Sequence, residues 1–379
     1  MTLLDRSLAE PNFIGRDAEA ITRDMVRMYE ELTGFTLYPA QAERLMVNVI
    51  AYRDKLIREA IQDAAKLNLV RYSRGVILDY LGENIGVARL DAASAECVVR
   101  FSFFPVPLVG TVLPAGTQVS TSSASGAALV FATATDVLVA AGAEQVDARV
   151  VCETPGALGN GFLPGQISRL YSAQPPGLKV SAVANTTTSS AGADVEDDDH
   201  LRRRITLAPE QFSNCGSREA YTFFSLGANA GITDVAITSP EPGLVHIHPL
   251  MADGLPGAPV LAQVLAACNG ETRRPLCDTV VALAPVVRAV DLQIALTLYE
   301  GADAASAQAA AYQAAAAYVQ RIQARLGVDV VPSQIKSALD VYGVYRVEVI
   351  SPAAVMVMEP NEWPQITALA VSVVGDAEG

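Results

Sequence analysis

Asn-Thr-Thr-Thr-Ser-Ser-Ala-Gly-Ala-Asp-Val-Glu-Asp-Asp-Asp-His-Leu-Arg-Arg-Arg-Ile, residues 185–205, is the stretch that divides this chain. Up to Ala193 it is polar, small and without apolar period, the composition of a loop. Asp194 is a candidate N-cap, and Glu196 to Asp199 would then occupy the first helical turn. Carboxylates there meet unpaired N–H groups and the positive end of the helix dipole. Arg202, Arg203 and Arg204 follow within i, i+4 reach of the acids, or are offered to a neighbour. A new folded unit therefore begins here. Read as a metal cluster, residues 195–200 have enough oxygen ligands for a hard cation, but adjacent helical residues diverge and no glycine-turned loop gathers them. The solvated cap is the better reading.

Outward from this boundary the chain changes character twice. Towards the N-terminus, residues 91–190 hold short alternating strands such as Cys97-Val98-Val99-Arg100-Phe101-Ser102-Phe103, broken by Pro105, Pro107 and the turn Leu113-Pro114-Ala115-Gly116-Thr117. This is the pattern of a small antiparallel β-domain. Before it, residues 1–90 are helical. Ile21, Met25, Met28 and Leu32 recur at helical spacing between Asp17 and Gly34, and Leu45, Val49, Tyr52 and Leu56 form a second stripe. Either stripe can pack in the chain or on partner helices.

Beyond the boundary, residues 191–288 mix helix with strands around Pro240-Glu241-Pro242-Gly243, and residues 289–379 open on a strand followed by a long helix over 303–326. Tyr312, Val319, Ile322 and Leu326 trace a heptad-like seam there, buried in the unit or facing a subunit. A faint echo links Ile232-Thr233-Asp234-Val235-Ala236-Ile237-Thr238-Ser239-Pro240 with Tyr345-Arg346-Val347-Glu348-Val349-Ile350-Ser351-Pro352, explained by duplication or by shared strand chemistry. The expected fold class is a multidomain α+β chain: helical segment, antiparallel β-domain and two α/β units.

Of the 379 residues 51% are hydrophobic and only 18% charged, so there is ample material to bury and a sparsely charged surface suited to lasting contacts. The net charge of −14 is the wrong sign for a free-standing nucleic-acid binder and for docking on anionic membranes. Five scattered cysteines (Cys97, Cys152, Cys215, Cys268, Cys277) form neither a disulfide framework nor a zinc knuckle. No signal peptide or bilayer-spanning run is visible, which predicts a protein made in a reducing cytoplasm.

Candidate chemistry is thin. His246 and His248 alternate on a strand as two metal ligands would, with His200 or a carboxylate as the third; exposed strand histidines are the simpler reading. Gly156-Ala157-Leu158-Gly159-Asn160-Gly161 lacks the Lys-Ser/Thr of a phosphate loop and leads into no helix. Cys215, beside Gly216, reads as structural. No catalytic residue, metal ligand or cofactor is assigned.

Taken in order, Gly75-Val76-Ile77-Leu78-Asp79-Tyr80-Leu81-Gly82, Gly86-Val87-Ala88-Arg89, the Leu113 to Thr117 turn, Gly156-Ala157-Leu158-Gly159-Asn160, Val183-Ala184-Asn185, the Gly192 to Asp199 run with Leu201-Arg202, Arg218-Glu219-Ala220-Tyr221, Arg274-Pro275, Ala284-Pro285 and Gly343-Val344 resemble the baseplate J family of contractile phage tails and phage-tail-like bacteriocins. Pro364-Gln365-Ile366-Thr367-Ala368-Leu369 is similar to the family's ending. The resemblance implies a baseplate wedge component, similar to the large wedge subunit of T4-like phages, located in a virion or bacteriocin particle and assembled in the host bacterial cytoplasm. It implies that two copies join a different wedge chain through an N-terminal bundle. It further implies a ring around the tail tube, near a sheath-initiator-type protein and the central hub, that repacks when contraction is triggered. The stripes over 21–32 and 45–56, the Arg202 to Arg204 turn and the 312–326 seam are the expected contacts, and reversing the three arginines is expected to impair assembly while sparing the monomer's fold. No enzyme activity, nucleic acid or membrane insertion is expected. The alternative is a cytoplasmic metal-dependent α/β enzyme built on His246, His248 and the 196–199 acids.

Overall fold

The computed structural model describes residues 8–121, 128–212, 216–270, 273–275 and 277–378. They divide into two compact units: the described part of Met1–Arg89 with Leu201–Ala208, and Leu90–His200 with Pro209 onward. The fold is α+β throughout, as the alternation of helical and strand periods predicts.

In the first unit, α1 (Ala18–Thr33) and α2 (Ala42–Leu67) form a hairpin, followed by α3 (Gly75–Glu83). Asp17 caps α1 by accepting from the Ala20 N–H at 2.6 Å, and Gly34 ends it in the left-handed conformation. The Asp79-Tyr80-Leu81-Gly82 motif has a packing role. A Cβ on Gly82 would lie 2.5 Å from the Val87 carbonyl oxygen and 3.3 Å from Ile205, so only glycine permits this approach.

The boundary helix α4 is Asp198–Leu207. It starts later than the capping pattern of Asp194 suggests. Asp197 accepts from the His200 N–H at 2.8 Å, while Asp194 instead accepts from the Ala157 N–H at 3.0 Å. Glu196 is not a solvated first-turn acid either: it is 2% exposed, accepts from the Leu90 N–H at 2.8 Å and pairs with His200 at 2.5 Å.

In the second unit, β1 (Glu96–Phe103), β3 (Gln118–Thr121), β4 (Val130–Thr133), β6 (Gln145–Cys152), β7 (Ile167–Leu170) and β8 (Val180–Asn185) build an antiparallel sheet in the order β7-β3-β4-β6-β1-β8. The ribbon β2 (Thr111–Leu113) and β5 (Val137–Val139) accompanies it. Asn185 draws the two ends of the sheet together: its Oδ1 accepts from Ile167 N–H at 2.9 Å, and its Nδ2 donates to the carbonyls of Phe162, Leu163 and Thr187. Inside lie Val99, Phe101, Leu113, Val119, Phe131, Val150 and Ile167, all fully buried. The glycine-rich motif locks this domain to the boundary loop. Asn160 donates to the Gly192 carbonyl and accepts from its N–H, both at 2.8 Å, and a Cβ on Gly192 would meet the Gly156 carbonyl at 2.5 Å. Within the motif Gly156 and Gly161 adopt positive φ, and a Cβ on Gly159 would meet Ala95 at 2.8 Å, so its glycines serve turns and close packing.

The central segment runs α5 (Arg218–Leu226), β9 (Ile232–Glu241), β10 (Leu244–Met251), α6 (Ala258–Cys268) and β11 (Thr279–Ala282). Here β10 is the middle strand, antiparallel to β9 and parallel to β11. The C-terminal segment comprises β12 (Val286–Tyr299), α7 (Ala304–Gln323), α8 (Pro332–Ala338), β13 (Val344–Ser351) and β14 (Glu362–Ala377). There β12 is the middle strand, antiparallel to β13 and parallel to β14. The two echoing sequences thus occupy equivalent places, each an edge strand antiparallel to a middle one.

Leu292, Ile294, Leu296 and Leu298 of β12 point at Ala307, Ala311, Ala315, Tyr318 and Ile322 of α7. This stripe is the inward face of α7. Ile322 is therefore withdrawn into the core and Val319 packs on it, whereas Tyr312 is exposed and Leu326 half-buried. Tyr312 stands roughly 100° around the helix from the buried stripe, and Leu326 lies beyond the helix end at Gln323.

Candidate assembly interface

The hairpin is tied down on one side. Ile21, Leu37, Val47 and Ala51 are buried, and Gln62 is fully buried in α2. Its amide accepts from the Phe13 N–H at 2.9 Å and donates to the Pro11 carbonyl at 2.7 Å. Ion pairs Arg16–Glu59 and Lys66–Glu10, at 3.0 and 2.9 Å, continue this attachment along α2.

Elsewhere on α2 large apolar side chains stand uncovered among charged ones. Leu45, Val49, Tyr52 and Leu56 are exposed, as the sequence stripe allows for a partner face. A second exposed row, Met46, Ile50, Ile57 and Ile61, was not legible as a stripe of its own. At about 100° per residue the two rows and the buried face stand roughly 120° apart around the helix. On α1, Met28 and Leu32 are 60% and 81% exposed. Ile21, Met25 and Met28 line an open cleft of about 740 Å³ that Arg16, Asp24, Arg27 and Asp54 also border.

The arginine turn is engaged inside the first unit. Arg202 donates to the carbonyls of Val70 and Ser73 at 2.9 and 2.8 Å. Arg204, 7% exposed, donates to the Ala88 carbonyl at 3.1 Å. Arg202 and Arg204 satisfy carbonyls of the helical unit, so reversing the three arginines is now expected to cost the monomer stability as well.

The rings of His246 and His248 lie 6.1 Å apart, edge to face, but His200 does not join them. His200 sits between Glu196 and the Ile232 carbonyl, 3.0 Å away. His248 is buried between Thr238 and the Ala284 carbonyl, and burial, reinforced by the neighbouring His246, holds its pKa below the usual range. Among the described residues no three His, Cys, Asp or Glu are grouped to hold a metal ion. Burial pushes the thiols of Cys97 and Cys268 up to about 12 and 11, the reverse of an activated nucleophile. Cys215 lies outside the described residues. Among the described residues no helix is long and apolar enough to cross a membrane.

A helical hairpin with exposed apolar rows, two small mixed units and no gathered catalytic or metal-binding group among the described residues give the class: a modular α+β protein. Comparison with known proteins gives the particular kind. Three family models match in chain order: the baseplate J-like protein barrel domain over residues 98–192, the baseplate J-like central domain over 213–284, and the baseplate J-like protein C-terminal domain over 290–372. Baseplate protein J of Escherichia phage P2 is 33% identical over 203 residues, which are 53% of this chain and 67% of that protein. The cryo-EM structure of the anti-feeding prophage baseplate, 6-fold symmetrised, contains a chain 12% identical to this one with a TM-score of 0.42, covering 92% of this chain and 90% of that one. The chain belongs to the baseplate J-like family, and its role is that of a structural baseplate protein.

Proposed function

We propose that this chain is a wedge component of a contractile-tail baseplate. In this reading it joins a ring around the tail tube and repacks its interfaces when sheath contraction is triggered. The observation that carries the reading is the pair of uncovered apolar rows on α2, Leu45/Val49/Tyr52/Leu56 and Met46/Ile50/Ile57/Ile61. Two separate rows call for two helices, which suits a bundle made with a second copy of this chain and a different wedge chain. A sheath-initiator-type protein and the central hub are its further neighbours. The reading contains no catalytic step; His246 and His248 lie side by side, but among the described residues no third ligand joins them.

The test is recovery of tagged chain from induced producer cells, followed by electron microscopy. Contractile tails or six-fold baseplates in the eluate are expected. V49D/L56D and I50D/I57D should each remove a different helical partner while helix content by circular dichroism stays unchanged. A lone soluble chain beside visible tails in the lysate would overturn the reading, as would variants that retain both partners.

A further inference from the structure

The C-terminal sheet ends on β13, which among the described residues pairs only with β12 and leaves its other edge open. An open groove of about 300 Å³ runs along this edge, lined by Lys336, Ser337 and Asp340 beside α8 and by Val344, Tyr345, Arg346 and Val347 of the strand. Arg346 and Glu348 stand on one face of β13, 3.5 Å apart and both well exposed. Val347 and Val349 alternate with them and pack towards the core. A bare edge of this kind is a template for another strand.

The geometry points to a second copy of the same strand as its occupant: two β13 edges pair antiparallel about a two-fold axis through Val347, joining two three-stranded sheets into one of six. This rests on the ring-forming role proposed above and names the contact between copies. A two-fold axis perpendicular to the sheet keeps each face continuous, so residues directly opposite must share a face. Only registers that place a residue opposite itself, or opposite one an even number of positions away, satisfy this. Three such registers lie at the centre of the strand. Centring on Arg346 puts Arg346 against Arg346, and centring on Glu348 puts Glu348 against Glu348. Centring on Val347 puts Arg346 against Glu348 on both sides of the axis and Val347 against itself, within the part of β13, Arg346 to Val349, whose ladder is regular. Opposite charges facing across strands stabilise and like charges destabilise, so charge alone selects the middle register. The other edge of the sheet, β14, offers no such match: its only charged residues, Glu362 and Asp376, are both acidic.

The experiment uses the full chain with Cys215→Ser and Cys277→Ser, plus V347C on the proposed axis or A370C on β14 as control. Directly opposed antiparallel residues have Cα atoms about 4.5–5.5 Å apart, within disulfide reach. Mild oxidation should give a disulfide-linked dimer with V347C and none with A370C, in the purified chain or in assembled particles. R346E or E348R added to V347C should each lower the dimer yield roughly fivefold or more, since either change alters two symmetric contacts. The exchanged pair R346E/E348R should restore it. Absence of the V347C dimer from both preparations, equal cross-linking by A370C, or failure of the exchanged pair to restore the yield would each overturn the pairing. Partner capture through α2 is read separately: its survival without the V347C dimer refutes the edge contact alone, and its loss refutes the bundle.

Discussion

Helices α2 and α7 carry the same kind of signal and meet opposite fates. The stripe of α7 finds its cover within the chain, on the leucines and isoleucine of β12, whereas α2 buries one face and leaves two apolar rows in solvent. Amphipathic spacing says that a face wants covering; it does not say by what. In α7 the inward residues are mostly alanines, which let the helix lie close on a sheet. In α2 the uncovered residues are large, the currency of contacts between separate helices.

The largest expected effect sharpens that contrast. L296A, at a fully buried position, should cost about 2–5 kcal/mol, while I57A on the exposed row should change the isolated chain by no more than about 0.5 kcal/mol. Denaturant unfolding combined with segment-resolved hydrogen exchange measures both, and comparable losses would break the comparison. Next, R204A should destabilise the helical unit by about 1.5–3 kcal/mol, with faster exchange over α3, because it removes a charged donor from the Ala88 carbonyl. Somewhat smaller, about 1–2 kcal/mol, is the loss expected from Q62A, which leaves the Phe13 N–H and Pro11 carbonyl without their amide partner. Protease nicking near Pro11 should rise with it.

The smallest effect is a pH dependence in the central segment. Burial lowers the His248 pKa in the folded chain, so the unfolded state takes up the proton first as pH falls. Stability from this residue is complete above its usual value of about 6.5 and declines as pH drops from there towards the folded value. The slope of unfolding free energy against pH should flatten in H248Q. An unchanged slope would place the titrating group elsewhere.

Much of the fold was legible because local patterns carried it. The stripes of α1 and α2, the alternation of β1 and the proline and glycine turns all act within a few residues. What stayed hidden depends on distant partners. Asp194 looks like a cap but holds Ala157, and Arg202 and Arg204 look solvated but hold carbonyls more than a hundred residues earlier. The second apolar row of α2 was obscured for a simpler reason: it runs one position out of step with the first, so Leu45-Met46, Val49-Ile50 and Leu56-Ile57 read as single apolar pairs. The edge contact of β13 needed the sheet order, since Arg346 and Glu348 in sequence are an ordinary alternating pair.

The parallel pairing of β12 with β14 has a mechanical consequence. Every residue of β12, from Val286 to Tyr299, has a partner on β14. A lengthwise pull on β14 loads the whole ladder in shear, so its rungs must yield together, whereas a sideways pull would peel them one at a time. The C-terminal sheet is thus stiff along its strand axis and compliant across it.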